Sequence, residues 1–220
     1  MDSNNFYNSY VKFCAFFVKL AYLNLLWLLF IVLGIGILGF FPATMAMFSI
    51  IRQWIMGNNE GSIFKNFWNV FKREFIMANV IGASYVIIGF IIYFDILYFS
   101  TPASLAGIII YYFFWLVAVI YVLLGIFIFP VYVHYKNGWW KYYKSTLMIM
   151  VLNPLTVIAV IFYIVAILIL LRILPGIIPF FSGSAIGYMV MLLSYRSFKK
   201  TEQTLDYKNG RHFKTVDSEV

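Results

Sequence analysis

Residues 20–51 read LAYLNLLWLLFIVLGIGILGFFPATMAMFSII and contain no charged residue. Four more uncharged runs follow, at 75–94, 96–133, 145–171 and 173–195. A water-soluble domain cannot bury that much apolar surface, whereas the hydrocarbon core of a bilayer accepts it. The sequence therefore predicts an all-α polytopic helical membrane bundle. It forms a single domain over 1–195, followed by a basic cytoplasmic tail over 196–220.

The composition and the distribution of charge point the same way. Hydrophobic residues make up 64% of the chain and charged residues 11%, against about 25% charged in an average soluble domain. The net charge of +8 comes from lysines and arginines clustered in short segments between the apolar runs. This distribution is typical of cytoplasmic loops. We therefore expect the lipid bilayer, and no nucleic acid, as the partner of the positive charge.

The run 20–51 is too long for one straight crossing. As a helix it would measure about 48 Å, against a hydrocarbon core of about 30 Å. Within it, Gly34-Ile-Gly-Ile-Leu-Gly39-Phe-Phe-Pro42 combines three glycines with a proline. This segment predicts a break, followed by a second helix that begins near Pro42 and ends near Met56.

Whether helix 42–56 crosses the membrane decides the side of the N-terminus. With six crossings, 15 of the 16 lysines and arginines are cytoplasmic, and with five crossings the number is 13. The count favours six helices with both termini inside. The stretch from Ala43 to Arg52 is only ten residues long, so a half-spanning or re-entrant helix is the alternative, with Arg52 snorkelling to water.

The remaining segments predict surface helices and further spans. Interfacial helices are expected near 5–19 and 62–75, and in the second Ser62 is placed to cap the N-terminus. Spans are expected at 76–98, about 104–133, about 147–173 and about 177–195, with Asn153-Pro154 interrupting the third. The tail from Arg196 is polar, and we expect it to be partly disordered.

The sequence predicts no catalytic, cofactor or metal site, and therefore no enzyme. Catalysis needs convergent titratable groups. The chain has two histidines, one cysteine and eight acidic residues, and of the acidic residues only Asp95 lies near the outer end of a span. His134 is a candidate proton carrier, but its aromatic and basic neighbours favour an interface residue.

Three asparagines lie inside apolar helices, where a polar group is costly. Asn24, Asn79 and Asn153 each fall within about two turns of the predicted cytoplasmic end of a helix. They predict either hydrogen bonds that join helices or a polar cluster that lines a cytoplasm-facing cavity. Asp95 and Arg172 form a candidate external ion pair. The residues expected at the cytoplasmic interface are Arg52, Lys65, Lys72 and Arg73.

Several of these motifs together resemble the YesL family of bacterial membrane proteins. They are Leu23-Asn-Leu-Leu-Trp-Leu-Leu-Phe30, the turn Gly39-Phe-Phe-Pro42-Ala43-Thr44, Arg52, and the spaced phenylalanines between Phe64 and Asn79. Family members often show Gly-Pro-Ala-Thr, whereas two phenylalanines separate Gly39 from Pro42 here. Genes of this family often lie beside those of carbohydrate ABC transporters and sensor-regulators. The resemblance implies a multi-pass protein of the bacterial cell membrane with such a transporter or sensor as partner.

Two functions are consistent with these observations. The first is an accessory or interaction component linked to carbohydrate uptake or its regulation, with helix 62–75 and the basic tail as its docking surface. The second is a small transporter or permease with a polar cavity near the cytoplasmic side. The scarcity of charge inside the spans counts against ion or proton coupling.

Overall fold

The computed structural model describes residues 3–58, 61–101, 104–135 and 139–209. Within them, the side chains of 3–6, 8–9, 139–141 and 202–209 are left undescribed. These ranges form seven α-helices and no strand. The helices are α1 Ser3–Leu33, α2 Ile37–Ile55, α3 Ile63–Tyr98, α4 Leu105–His134, α5 Trp139–Leu152, α6 Pro154–Ile173 and α7 Ile178–Asn209, with a short 3-10 turn, Pro175–Ile177, before α7.

The prediction of an all-α polytopic bundle is confirmed. Five helical segments in the described ranges are long and apolar enough to cross a membrane. The structure has seven helices rather than six because Asn153-Pro154 ends α5 and begins α6. Asn153 leaves the helical conformation because a following proline disfavours it, and Pro154 then occupies the first turn of α6. The five segments are Tyr10–Leu33, Ile63–Tyr98, Leu105–His134, Pro154–Ile173 and Pro175–Thr201.

The break between the first two helices lies earlier than the sequence predicts. The turn occupies Gly34–Gly36, and α2 begins at Ile37 rather than near Pro42. Gly36 adopts a positive φ of 70°, a conformation that glycine tolerates best. Gly39 lies against the backbone of α1, where a Cβ would approach the Phe30 carbonyl oxygen within 2.6 Å. The glycines of this segment therefore permit a tight hairpin, and the Gly39–Thr44 signature is helical rather than a turn.

Helix α2 lies at the centre of the bundle. Eleven of its 19 residues are buried, and it contacts α1, α3, α4 and α7. Its second half, including Met47, Ile50 and Ile51, packs against Leu23 of α1 and Phe67 of α3 in the main core cluster. The helix whose crossing is ambiguous in the sequence is thus the one that organises the packing.

Three predicted boundaries are absent because the helices run through them. Helix α1 joins the stretch 5–19 to the first span, and α3 joins 62–75 to the next one, without a turn between them. Ser62 caps α3 as predicted, its hydroxyl accepting a hydrogen bond from the Lys65 amide. Helix α7 extends to Asn209, so the predicted tail begins within a helix, and Phe198 is fully buried.

Helices α1 and α7 run antiparallel. Phe16 contacts Tyr188, whereas Asn24, two turns further along α1, contacts Pro179, near the start of α7. The start of α1 and the end of α7 therefore lie at the same end of the bundle. Because the charge distribution predicts a cytoplasmic C-terminus, this geometry favours a cytoplasmic N-terminus, which a crossing α2 and a re-entrant α2 both allow.

Candidate functional site

A polar pocket of about 300 Å³ opens among α2, α3, α4 and α5. Polar and apolar groups share its lining about equally, in contrast to the two other cavities described here, whose linings are almost wholly apolar. It lies toward the end of the bundle that the charge distribution places in the cytoplasm. The lining residues are Met45, Ser49, Val70, Arg73, Glu74, Tyr132, Val133 and Tyr142.

The carboxylate of Glu74 is the centre of this pocket. One of its oxygens accepts a hydrogen bond from Arg73 Nε at 2.8 Å, and the other accepts one from the Tyr132 hydroxyl. The Tyr132 ring also lies 4.7 Å from that of Tyr142. The group offers a carboxylate, a guanidinium and aromatic faces to a small polar molecule. Glu74 is the one acidic residue among the lining side chains that the structure describes.

Sequence reasoning missed Glu74 and Tyr132 as partners. Glu74 follows Lys72 and Arg73 in the chain and has the pattern of a solvated surface charge. The one indication in the sequence was that Glu74 immediately precedes an uncharged run. It therefore lies where the polar first turns of α3 give way to the apolar part of the helix. Its contact with Tyr132 bridges 58 residues, and local periodicity carries no information over that separation.

Arg52 and His134 form a second polar group, inside the protein. Arg52 is only 8% exposed, and its Nε donates to His134 Nδ1 at 3.5 Å. The His134 ring stacks on Phe198 of α7 at 4.7 Å. The structure therefore places Arg52 among the ends of α2, α4 and α7, while Lys65, Lys72 and Arg73 are exposed.

Asn24 joins α1 to the first turns of α7. Its Nδ2 donates to the Pro179 carbonyl at 2.7 Å, and its Oδ1 accepts from the Gly183 and Ser184 amides at 2.9 Å each. The side chain is fully buried. One side-chain amide thus bonds to three backbone groups of a neighbouring helix, more than either of the other two asparagines does.

Asn79 compensates for the proline inside α2. Pro42 has no N–H, so the Leu38 carbonyl lacks its helical donor. Asn79 Nδ2 donates to that carbonyl at 3.1 Å, and also to the Phe75 carbonyl at 2.8 Å. The amide of one helix therefore repairs the hydrogen-bond ladder of another, which explains why α2 begins before Pro42 and continues through it.

Asn153 closes the gap between α5 and α6. Its Nδ2 donates to the Ile149 carbonyl at 3.2 Å and to Thr201 Oγ1 of α7 at 3.0 Å. Among the described residues, no hydrogen bond joins Asn24, Asn79 and Asn153 to one another. Asn24 bonds to the first turns of α7, Asn153 bonds to Thr201 in the later part of α7, and Asn79 bonds to α2. Likewise, no ion pair links Asp95 with Arg172 within the ranges that the structure describes.

An aromatic and basic surface covers the first turns of α3. Phe64 is 46% exposed and Trp68 is 38% exposed, and Lys72 Nζ lies 4.5 Å from the Trp68 ring centre. Behind them, the buried ring of Phe30 contacts the rings of Phe64, Phe67, Trp68 and Phe71 at 4.9–6.1 Å. We call Phe64, Lys65, Trp68, Lys72 and Arg73 the α3 surface. Packing against the buried Phe30 ring holds the exposed rings of this surface in place.

The remaining candidate ligands are dispersed. In the described part of the chain, no three His, Cys, Asp or Glu side chains are grouped so as to hold a metal ion. Cys14 is a free, exposed thiol on α1.

The Tyr143 hydroxyl of α5 lies 2.7 Å from Ser84 Oγ and donates to the Ile81 carbonyl. Burial raises the pKa of Tyr143 above its ordinary value, so this hydroxyl stays protonated and can keep donating.

The helical spans, the central α2 and the interhelical amides define an all-α polytopic bundle of the membrane-protein class. Residues 20–96 match the model of a family described as "Protein of unknown function, DUF624", and the chain belongs to this family. No solved structure matches the chain.

Three relatives from Bacillus subtilis (strain 168) extend this match over most of the chain. The uncharacterized protein YteU is 37% identical over 196 residues, which cover 88% of this chain and 86% of YteU. The uncharacterized protein YesV is 35% identical, over 86% of this chain and 91% of YesV. The uncharacterized protein YesL is 27% identical, over 89% of this chain and 92% of YesL. The resemblance to the YesL family is thereby confirmed.

Proposed function

We propose that this protein is an accessory or interaction component of the bacterial cell membrane. The observation that carries this proposal is the α3 surface, where partly exposed aromatic rings lie beside basic side chains on a rigid base. Aromatic and arginine side chains dominate the energetics of protein interfaces. A ring held in place by packing also loses little conformational entropy when a partner binds.

The asparagines support an interaction role over transport. A transporter built on a polar pathway needs side chains that are free to meet the substrate. Here each of the three amides is engaged in backbone or hydroxyl hydrogen bonds that tie helices together. Their geometry favours structural contacts between helices, which was one of the two alternatives in the sequence.

The nature of the partner is inferred from the family resemblance. The genes of the YesL family often lie near those of carbohydrate ABC transporters and sensor-regulators. We therefore propose that the α3 surface binds the cytoplasmic side of a carbohydrate ABC permease or of an associated sensor protein. The basic residues of this surface suit an acidic patch on that partner.

Co-purification from native membranes tests this proposal. The wild-type chain is expected to recover a carbohydrate permease in stoichiometric amount. Trp68→Ala removes the central exposed ring and should lower recovery about tenfold or more. Tyr98→Ala is the matched control, because Tyr98 is 80% exposed at the opposite end of the same helix. Equal recovery by wild type and both variants, or no permease with the wild type, contradicts the proposal.

The polar pocket supports a second candidate, a small transporter or permease. The Glu74 pocket is a polar cavity near the predicted cytoplasmic side, although it is built from other residues than the asparagines. Purified protein in liposomes should then move a labelled sugar by itself. Glu74→Gln removes the carboxylate charge and should slow uptake, whereas Asp95→Asn, at the far end of α3, should leave it unchanged. Absence of uptake by the wild-type protein excludes this candidate.

A further inference from the structure

An apolar groove of about 560 Å³ lies between α3 and α4 and is closed on one side by the start of α2. Its lining extends along α3 from Ile81 to Tyr93, a distance of about 18 Å along the helix axis. Both flanking helices are long and apolar enough to cross a membrane. The groove therefore lies at the depth of the hydrocarbon core.

Two tyrosines form the floor of this groove and hold it open. The rings of Tyr85 and Tyr121 stack with centres 4.2 Å apart and planes 11° from parallel. Tyr85 donates its hydroxyl hydrogen to the Tyr121 carbonyl at 3.0 Å, and Tyr121 donates to the Tyr85 carbonyl at 2.8 Å. Closing the groove by rotating either ring breaks a hydrogen bond where no water can replace it.

We call the stacked, hydrogen-bonded pair of Tyr85 and Tyr121 the clasp. Each of its two halves comes from the same short sequence pattern. Tyr85-Val-Ile-Ile-Gly89 on α3 and Tyr121-Val-Leu-Leu-Gly125 on α4 are the same pattern on antiparallel helices. Each glycine lies under the hydroxyl end of the opposite tyrosine, where a Cβ would collide with it. The glycines thus admit the two rings, and the hydroxyls are used up inside the clasp. The floor consequently offers aromatic rings and no free polar group.

The dimensions of the groove identify its occupant. The groove is open to the bilayer along its side, is lined almost wholly by apolar side chains, and is about 18 Å long. Its length is close to one leaflet, which is about half of the 30 Å hydrocarbon core. An extended hydrocarbon chain fits both the apolar lining and the length of the groove. We propose that this groove is a binding site for one acyl chain of an outer-leaflet phospholipid, with Tyr93 at its headgroup end.

Lipid retention by the full-length protein tests this site. Delipidated protein in mild detergent is mixed with dioleoyl-phosphatidylglycerol, diluted, and examined by native mass spectrometry. The wild type should retain one lipid. Val122→Trp fills the groove from a position that is 56% exposed and should reduce retention about tenfold. Ile87→Trp is the matched control, because Ile87 is 60% exposed on α3 but outside the lining.

Two further measurements keep the test independent of folding defects and of headgroup binding. Dihexanoyl-phosphatidylglycerol has the same headgroup with short chains, and the wild type should not retain it. A diazirine-bearing acyl chain should label wild-type peptides that contain Val86 or Phe90. Equal retention by Val122→Trp and Ile87→Trp, retention of the short-chain lipid, or labelling spread evenly over α3 and α4 overturns the proposal.

Discussion

Replacing Asn24 by leucine tests how the asparagines stabilise the bundle. The substitution keeps the number and branching of the side-chain heavy atoms but removes one hydrogen bond to the Pro179 carbonyl and two from the Gly183 and Ser184 amides. Interhelical hydrogen bonds in membranes contribute about 0.6–1.7 kcal/mol each. Three bonds therefore give a loss of about 2–5 kcal/mol. Because the Gly183 and Ser184 amides lie within α7 and can bond to carbonyls of their own helix, we expect the lower end, about 2 kcal/mol.

Reversible unfolding in mixed micelles, followed by circular dichroism, measures this loss. Leu25→Ala is the matched control, since Leu25 is the next residue of α1 and is exposed. It should change the free energy of unfolding by less than about 0.5 kcal/mol. If Asn24→Leu is as stable as Leu25→Ala, the bonds of Asn24 do not hold α1 to α7, and the structural role assigned to the asparagines is refuted.

Three further predictions concern α2 and the topology. Asn79→Ala should destabilise the wild type by about 1 kcal/mol. The same substitution should cost less in a Pro42→Ala background, because alanine at position 42 restores the missing helical donor. Additive losses in this double-mutant cycle would contradict the role of Asn79 as a substitute donor for α2. Gly39→Ala should cost about 1–3 kcal/mol in thermal or detergent unfolding, because the new Cβ overlaps the backbone of α1. Gly176→Ala, which meets open space, is its control and should be neutral. Protease-sensitive tags fused to the N- and C-termini should both be cleaved only in inside-out vesicles, and cleavage of the N-terminal tag from the outside would exclude six crossings.

The sequence is sufficient for the class of fold because lipid imposes a strong, local constraint. A span must be apolar along its whole length, so the uncharged runs locate the spans directly. The Asn153-Pro154 break and the Ser62 cap are equally local, since a proline or a capping hydroxyl acts within one turn. Each of these features was predicted from residues that are neighbours in the chain.

The features that the sequence leaves open depend on distant partners. Helix α2 continues through Pro42 because Asn79, 41 residues from Leu38, supplies a donor to its carbonyl. Arg52 is buried and bonds to His134, which is 82 residues away in the chain. The two YVxxG segments form a clasp only after α3 and α4 are antiparallel. Helical periodicity places a residue on a face of its own helix, but it does not identify the helix that this face meets.

Site-specific photo-crosslinking in native membranes tests the proposed interaction role most directly. A photoreactive amino acid at position 68 replaces Trp68, and the same group at position 98 replaces Tyr98 as the control. Position 68 should give one protein adduct, identified by mass spectrometry as a subunit of a carbohydrate transporter or its sensor, and position 98 should give none. Lipid adducts alone at both positions would contradict the proposed interaction role, because the α3 surface would then face only the bilayer.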